Sequence, residues 1–470
     1  MKKQVFNPYL PSYEYIPDGE PRVFDGRLYI YGSHDAFDGN VFCANDYVLW
    51  SAPEEDLSDW RYEGVIYRKE QDPRNSNGCN KLWAPDVCRG NDGKYYLYYC
   101  LDFLPEVAVA VADSPAGPFE FLDFVRYANG DPIGTRAGET RQFDPGIFID
   151  DDKRIYLFSG NSPRFKCSYT DKASVKMELE QDMVTVKAGP FPNLIGINEA
   201  DGTEWEEHPF FEASSLRKIN GKYYLIYSST WMHELCWAVA DSPLGEYHFG
   251  GTLVSNCDIG ANGNKEALNY LGNTHGSVMQ VKGKWYVFYH RQTNRHKFSR
   301  QACAEEICFD GEKFYQAEVT SCGLNGGPLK DIGTYEARIA CHLYSKNGTC
   351  ESFRNLQDET HPAFTQDGPD RECDPNQYIE NMRDGATAGF RYFDFKEAKV
   401  IMVKVRGTGR GEMVVRDERG GAVVARVPVE PSENWECFPA SFVIGEGKKP
   451  LYFTFEGEGA VDFYSFTLAK

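Results

Sequence analysis

At 470 residues the chain is too long for one ordinary hydrophobic core and calls for two domains. Aromatics make up 14 % of it and Gly and Pro are frequent, while long 3.6-period apolar stripes are scarce, which points to an all-β protein. The formal net charge of −20 repels phosphate backbones and anionic lipid, so neither nucleic acid nor a membrane is expected as a partner.

The first elements are an extended, Pro-punctuated arm, Asn7-Pro-Tyr-Leu-Pro11, and Asp18-Gly-Glu-Pro21 leading into a strand. No apolar run follows the two N-terminal lysines, so a cytoplasmic location is expected. The strand phrase Gly26-Arg-Leu-Tyr-Ile-Tyr31 then returns four times, as Gly93-Lys-Tyr-Tyr-Leu-Tyr-Tyr99, Lys153-Arg-Ile-Tyr-Leu-Phe158, Gly221-Lys-Tyr-Tyr-Leu-Ile-Tyr227 and Gly283-Lys-Trp-Tyr-Val-Phe-Tyr289. Its anchor tyrosines, Tyr29, Tyr96, Tyr156, Tyr224 and Tyr286, are 67, 60, 68 and 62 residues apart. Ala112-Asp-Ser-Pro115 and Ala240-Asp-Ser-Pro243 lie 128 residues apart, the same distance as Tyr96 to Tyr224. Two independent phrases keeping one spacing indicate an array of a strand-rich unit, and five copies predict a five-bladed β-propeller.

Between the copies, Asp56-Leu-Ser-Asp-Trp60 reads as the end of the first unit and residues 67–80 as a polar loop. Residues 170–183 read as a short helix or an edge strand, and 257–272 as a long loop or short helix. The repeat stops near residue 320. Short strands at Val400–Arg406, Glu412–Arg416, Val423–Val427 and Leu451–Phe455 predict a β-sandwich. The expected domains are a propeller over 1–325, a linker over 326–332 and a sandwich over 333–470. The fourteen cysteines show no CxxC pair and read as reduced, buried thiols.

Aligning what precedes each anchor tyrosine singles out one position. Asp18 lies 11 residues before Tyr29, Asp144 12 before Tyr156, Glu212 12 before Tyr224 and His275 11 before Tyr286. Equivalent positions in a propeller converge, so three carboxylates and a histidine should meet. Like charges in a partly dry pocket push at least one carboxyl toward its neutral form. Hydrolysis of a glycosidic bond uses such a pair, one carboxyl protonated and one ionised. Alone, an Asp-Pro or Asp-Gly is turn chemistry and a His is structural; four together at one repeat position favour function. The second unit has Ala84 there, with Asp86 two residues on as a turn or supporting residue. Glu20 competes with Asp18. Trp83, Phe143, Phe211 and Trp231 read either as core or as a sugar-stacking wall. Arg291 reads as a substrate hydrogen-bond donor or as a surface ion pair.

These motifs, Asn7-Pro-Tyr-Leu-Pro11, Asp18, Trp83-Ala-Pro85, Phe143-Asp-Pro-Gly-Ile-Phe-Ile-Asp150, Glu212 and Thr274-His-Gly-Ser-Val278, resemble glycoside hydrolase family 43 over about residues 5–320. The resemblance implies a five-bladed propeller and an inverting mechanism. It gives Asp18 the role of general base, Glu212 that of general acid and Asp144 that of pKa modulator. It places His275 near an axial ion or water, with no cofactor required for the chemistry. The chain has Asp18-Gly-Glu-Pro21 where Asp-Pro-Ser is usual and Glu212-Ala-Ser where Glu-Gly-Pro or Glu-Ala-Pro is usual, which bears on substrate rather than chemistry. The tail, with Tyr335-Glu-Ala-Arg338 and Val461-Asp-Phe-Tyr-Ser-Phe466, resembles a family 6 carbohydrate-binding module. In such modules Glu336 and Asp462 would hold a structural calcium. The resulting expectation is an exo-acting α-L-arabinofuranosidase on arabinoxylan or other plant cell-wall pentose oligosaccharides. β-Xylosidase is the alternative, and a non-catalytic sugar-binding propeller the reading from another class.

Overall fold

The computed structural model of the protein describes residues 3–168, 173–349, 360–370 and 376–470. The repeated phrase forms the second strand of each of five antiparallel sheets. The first sheet holds β1 (Glu20–Phe24), β2 (Arg27–Tyr31), β3 (Tyr47–Pro53) and β4 (Arg61–Tyr67). The second holds β5 (Leu82–Arg89), β6 (Tyr95–Leu101), β7 (Val107–Ala112) and β8 (Glu120–Phe124). The third holds β9 (Gly146–Ile149), β10 (Ile155–Ser159), β11 (Val175–Leu179) and β12 (Val186–Pro192). The fourth holds β13 (Phe210–Ile219), β14 (Lys222–Ser229), β15 (Glu234–Ala240) and β16 (His248–Ser255). The fifth has β17 (Val278–Val281), β18 (Lys284–Thr293) and β19 (His296–Glu306).

The turn into each second strand needs a left-handed residue. Gly26, Gly93, Gly221 and Gly283 supply it with φ between 79° and 87°, and Lys153 takes the same place at 69°. Glycine does so without a Cβ penalty, which is why the phrase begins with it in four copies. The second strands are apolar on both faces because sheets pack on either side; all of β6 is buried. Apolar cores lie between successive sheets, and one joins the fifth to the first.

The expected five-bladed β-propeller is corrected by these sheets. Only four have four strands. The fifth stops at three, and the chain then forms a separate two-stranded ribbon, Cys308–Phe309 with Phe314–Tyr315. No sheet of the described residues closes or curls on itself, so the architecture is all-β with separate antiparallel sheets. The repeat records one strand and its turn; strand number and closure depend on partners that the phrase does not specify.

Smaller expectations are corrected too. The first unit does not end at Trp60, since β4 follows it. The undecided stretch 170–183 contains β11, an interior strand, although 169–172 lie outside the described residues. The stretch 257–272 is, as expected, a long loop, with one 3₁₀ turn at Ala261–Gly263.

Among the described residues the C-terminal region is a distinct sandwich of two six-stranded sheets around one core. One sheet is mixed: Leu329–Lys330 runs parallel to Thr387–Phe395, and the other pairings are antiparallel. The sandwich is bound to the preceding sheets by buried polar groups. Asp258 accepts from Arg391 Nη2 at 2.8 Å and pairs with His342 Nε2 at 3.0 Å. The described cysteines are all free, eight buried and four exposed, while Cys350 and Cys373 lie outside the described residues.

Candidate active site

The repeat position that carries the carboxylates has unusual backbone. Asp18, Ala84 and Asp144 have φ of 57°, 25° and 46°, and Ala213, next to Glu212, has 72°. Register shifts in β5 between Trp83 and Asp86, and in β13 around Glu212, accompany this. Such irregularities re-aim side chains at a sheet end, and the left-handed conformers cost energy that the surrounding packing must offset. The first strands lie side by side, β1 beside β5 and β17, and β9 beside β5 and β13. Their entry ends therefore open on one cavity of about 700 Å³, lined by Asp18, Asp144, Glu212 and His275.

Each carboxylate has a different environment. Asp18 accepts from Arg300 Nη1 at 2.9 Å, and its own backbone N–H donates to His290 Nδ1 at 3.2 Å. Burial would raise its pKa, but Arg300, helped by His290 and His275, outweighs that and holds it below the ordinary value. Glu212 accepts from Asn161 Nδ2 at 3.2 Å and, among the described residues, has no such cation bonded to it. Burial first, then the charges of Asp144 and Asp18, push its pKa well above the ordinary value. Asp144 lies 3.4 Å from His275 Nδ1. Burial opposes a charge on His275, yet Asp144 with Asp18 lifts its pKa to about 9, so it is an imidazolium at neutral pH. His290 goes the other way: burial and Arg300 lower it to about 3, which leaves Nδ1 free to accept from Asp18. Arg300 also grips Asp35, through Nε at 2.8 Å and Nη2 at 3.0 Å, so its guanidinium is fixed.

Aromatic rings form the wall. Trp83 and Phe143 meet edge to face at 5.2 Å, and Phe42 touches both Trp83 and Phe298. Phe211 also lines the cavity. At its rim Phe103 and Phe165 are 86 % and 64 % exposed, far more than apolar rings usually are. Trp231 is exposed and does not line the cavity; its indole N–H donates to Glu207 O at 2.6 Å.

Sequence reasoning brought Asp18, Asp144, Glu212, His275, Trp83 and Phe143 to one cavity, and the structure places them there. It missed Arg300, His290, Asp35 and Asn161. Arg291 is corrected: it lies outside the cavity, buried against the sandwich, donating to Ala340 O at 2.9 Å and Arg338 O at 2.8 Å. Glu20 does not compete with Asp18. It sits deeper, accepting from Ser215 Oγ at 2.9 Å and paired with Arg217. Asp86 is a supporting residue, bound by Arg22 Nη2 at 2.6 Å and by the Ile147 N–H at 2.8 Å.

The two carboxylates expected to hold a structural calcium, Glu336 and Asp462, each face an arginine. Glu336 pairs with Arg338, and Asp462 binds Arg406 Nε at 3.1 Å. Among the described residues the group with metal-ligand spacing is His208, Glu234 and Cys236. There His208 Nδ1 is 2.7 Å from Glu234, which also accepts from Ser229 Oγ at 2.6 Å.

Residues 18–314 match Glycosyl hydrolases family 43. A xylosidase/arabinosidase of Thermoclostridium stercorarium is 48 % identical over 476 residues, covering 100 % of this chain and 99 % of that one. The chain belongs to glycosyl hydrolase family 43. A β-xylosidase of Xylanibacter ruminicola is 31 % identical over 345 residues, 65 % of this chain and 97 % of that protein. Among solved structures, a glycoside hydrolase family 43 arabinoxylan arabinofuranohydrolase from Bacillus subtilis, in complex with cellotetraose, is similar in fold at 22 % identity. Its TM-score is 0.51, covering 99 % of this chain and 97 % of that one. The family 43 protein is thus a glycoside hydrolase, and its cavity presents carboxyls whose surroundings favour opposite protonation states.

Proposed function

We propose that this family 43 enzyme is an inverting, exo-acting hydrolase that releases terminal L-arabinofuranose from arabinoxylan or its oligosaccharides. Asp18 is the general base. It takes a proton from water as the water oxygen attacks the anomeric carbon. Glu212 is the general acid and gives its proton to the departing glycosidic oxygen as that bond breaks, so the anomeric configuration inverts. Burial, with the charge of Asp144 added to it, keeps Glu212 protonated, and His275 pairs with Asp144 and orients it. The single observation that carries this reading is the opposite displacement of Asp18 and Glu212 within one cavity. The relatives named xylosidase/arabinosidase support the pentose, and the one named β-xylosidase supports a second reading, terminal D-xylose from xylo-oligosaccharides.

For the tail, we infer a family 6 carbohydrate-binding module type over 333–470 and a catalytic part over 1–325, with Leu329–Lys330 of the joining stretch 326–332 already paired into the sandwich. The two-sheet sandwich around one core supports that reading, and Trp435 against Tyr378 and Tyr464 offers aromatic surface.

Glu212→Gln is the test. On arabinoxylo-oligosaccharides turnover should fall about 10²–10⁴-fold, with binding by calorimetry retained. The loss should be smaller on nitrophenyl arabinofuranoside, whose leaving group departs without a proton. Equal turnover by wild type and variant on the oligosaccharide would sink the assignment.

A further inference from the structure

The cavity wall at Phe42 belongs to residues 36–45, which contain no strand and cannot hold their shape through a sheet ladder. Phe42 matters to the reacting groups: the Arg300 guanidinium lies 4.6 Å over its ring, and Arg300 is the cation bonded to Asp18. Asp35 Oδ1 accepts the Cys43 N–H at 2.9 Å and Ser299 Oγ the Asp38 N–H at 3.0 Å, and the C-terminal sandwich adds anchors of its own. Asp370 accepts the Phe37 N–H at 2.7 Å and reaches Asn45 Nδ2 at 3.4 Å, one contact on each flank of Phe42. A second tie runs through the hairpin between β18 and β19. Asn294 donates to Asp38 Oδ1 at 2.9 Å while accepting from Thr365 Oγ1 at 3.0 Å, and its N–H donates to Phe364 O at 2.7 Å.

We propose that Asp370 is a positioning residue for the Phe42 wall, making the sandwich a working part of the substrate cavity. A loop without a ladder is held by side-chain acceptors at its exposed N–H groups, and a charged acceptor is the stronger kind. Here that acceptor is some 330 residues away in sequence and belongs to the other part of the chain. The proposal rests on the glycosidase reading above but not on which pentose is released.

The test uses the full chain with Asp370→Ala, Asp370→Asn and Thr365→Val, assayed on arabinoxylo-oligosaccharides. Asp370→Ala is expected to raise KM about tenfold with kcat within about twofold, because the wall loses its placement while the carboxyls stay. Asp370→Asn is expected to restore KM to within about twofold, since its amide oxygen still accepts the Phe37 N–H. Thr365→Val keeps the side-chain volume and should raise KM in the same direction, which serves if Asp370→Ala does not fold. A purely structural role would lower the unfolding temperature and leave KM alone; that result, or Asn as harmful as Ala, would overturn the proposal. No turnover by the wild type would sink the functional reading instead. Oligosaccharide affinity by calorimetry would then still report the wall, expected to weaken in Asp370→Ala and overturning the proposal if unchanged.

Discussion

Glu212 and Asp18 differ less in burial than in company. Asp18 has a guanidinium bonded to it, whereas Glu212 has an amide and two carboxylate neighbours. This yields a pH prediction. The alkaline limb of kcat/KM should report loss of the Glu212 proton, because the acid must be protonated. Asp144→Asn removes a charge that raises Glu212, so the limb should move to lower pH, together with a fall in kcat. The acid limb, set by Asp18 under Arg300, should stay. A pH–rate profile with the alkaline limb unmoved would refute the coupling. The residues found from sequence and those missed divide on physical grounds. Asp18, Asp144, Glu212 and His275 share one place in a repeat, and repetition makes a place visible. Arg300 and His290 lie beyond the anchor Tyr286, on strands whose counterparts elsewhere carry no matching residue. The choice of Arg291 missed by a single residue: neighbours in a strand point to opposite faces, so His290 turns to Asp18 and Arg291 to the sandwich.

At the scale of elements, the junction between the first and fifth sheets sets where His275 sits. Gly19 and Gly276 form an isolated parallel bridge there, just ahead of β1 and β17. A Cβ on Gly276 would come within 1.9 Å of the Phe288 carbonyl oxygen, which is backbone of β18 and cannot turn away. Gly276→Ala should therefore cost about 2–3 kcal/mol by calorimetry and reduce kcat/KM by displacing His275. An unfolding temperature and kcat/KM equal to wild type would refute this. The strands were legible because aromatic and branched runs behind a Gly-Lys turn have few other solutions. Strand number was not, since β4 begins Arg-Tyr-Glu-Gly and carries an exposed, polar texture. The sandwich strands were readable for the same reason as the second strands, through apolar runs cut by Gly, Asp and Glu.

For the whole molecule, the sequence suggested two domains joined by a linker, and the structure adds a shared polar seam. Asp258, Arg391, His342 and Arg291 are all buried there; Asp258 is met by Arg391 and His342, and Arg291 by backbone carbonyls, so each buried polar group has a partner. Those contacts lie too far apart in sequence for any local pattern to announce them. The exposed phenyl rings at the cavity rim have a colloidal consequence. Phe103 and Phe165 are exposed, and the net charge of −20 opposes contact between copies of the protein through them. At about 1 M salt, where the Debye length shrinks to about 3 Å, that repulsion is screened and the rings can adhere. Static light scattering should then rise with protein concentration, and saturating oligosaccharide or Phe103→Ser with Phe165→Ser should suppress the rise.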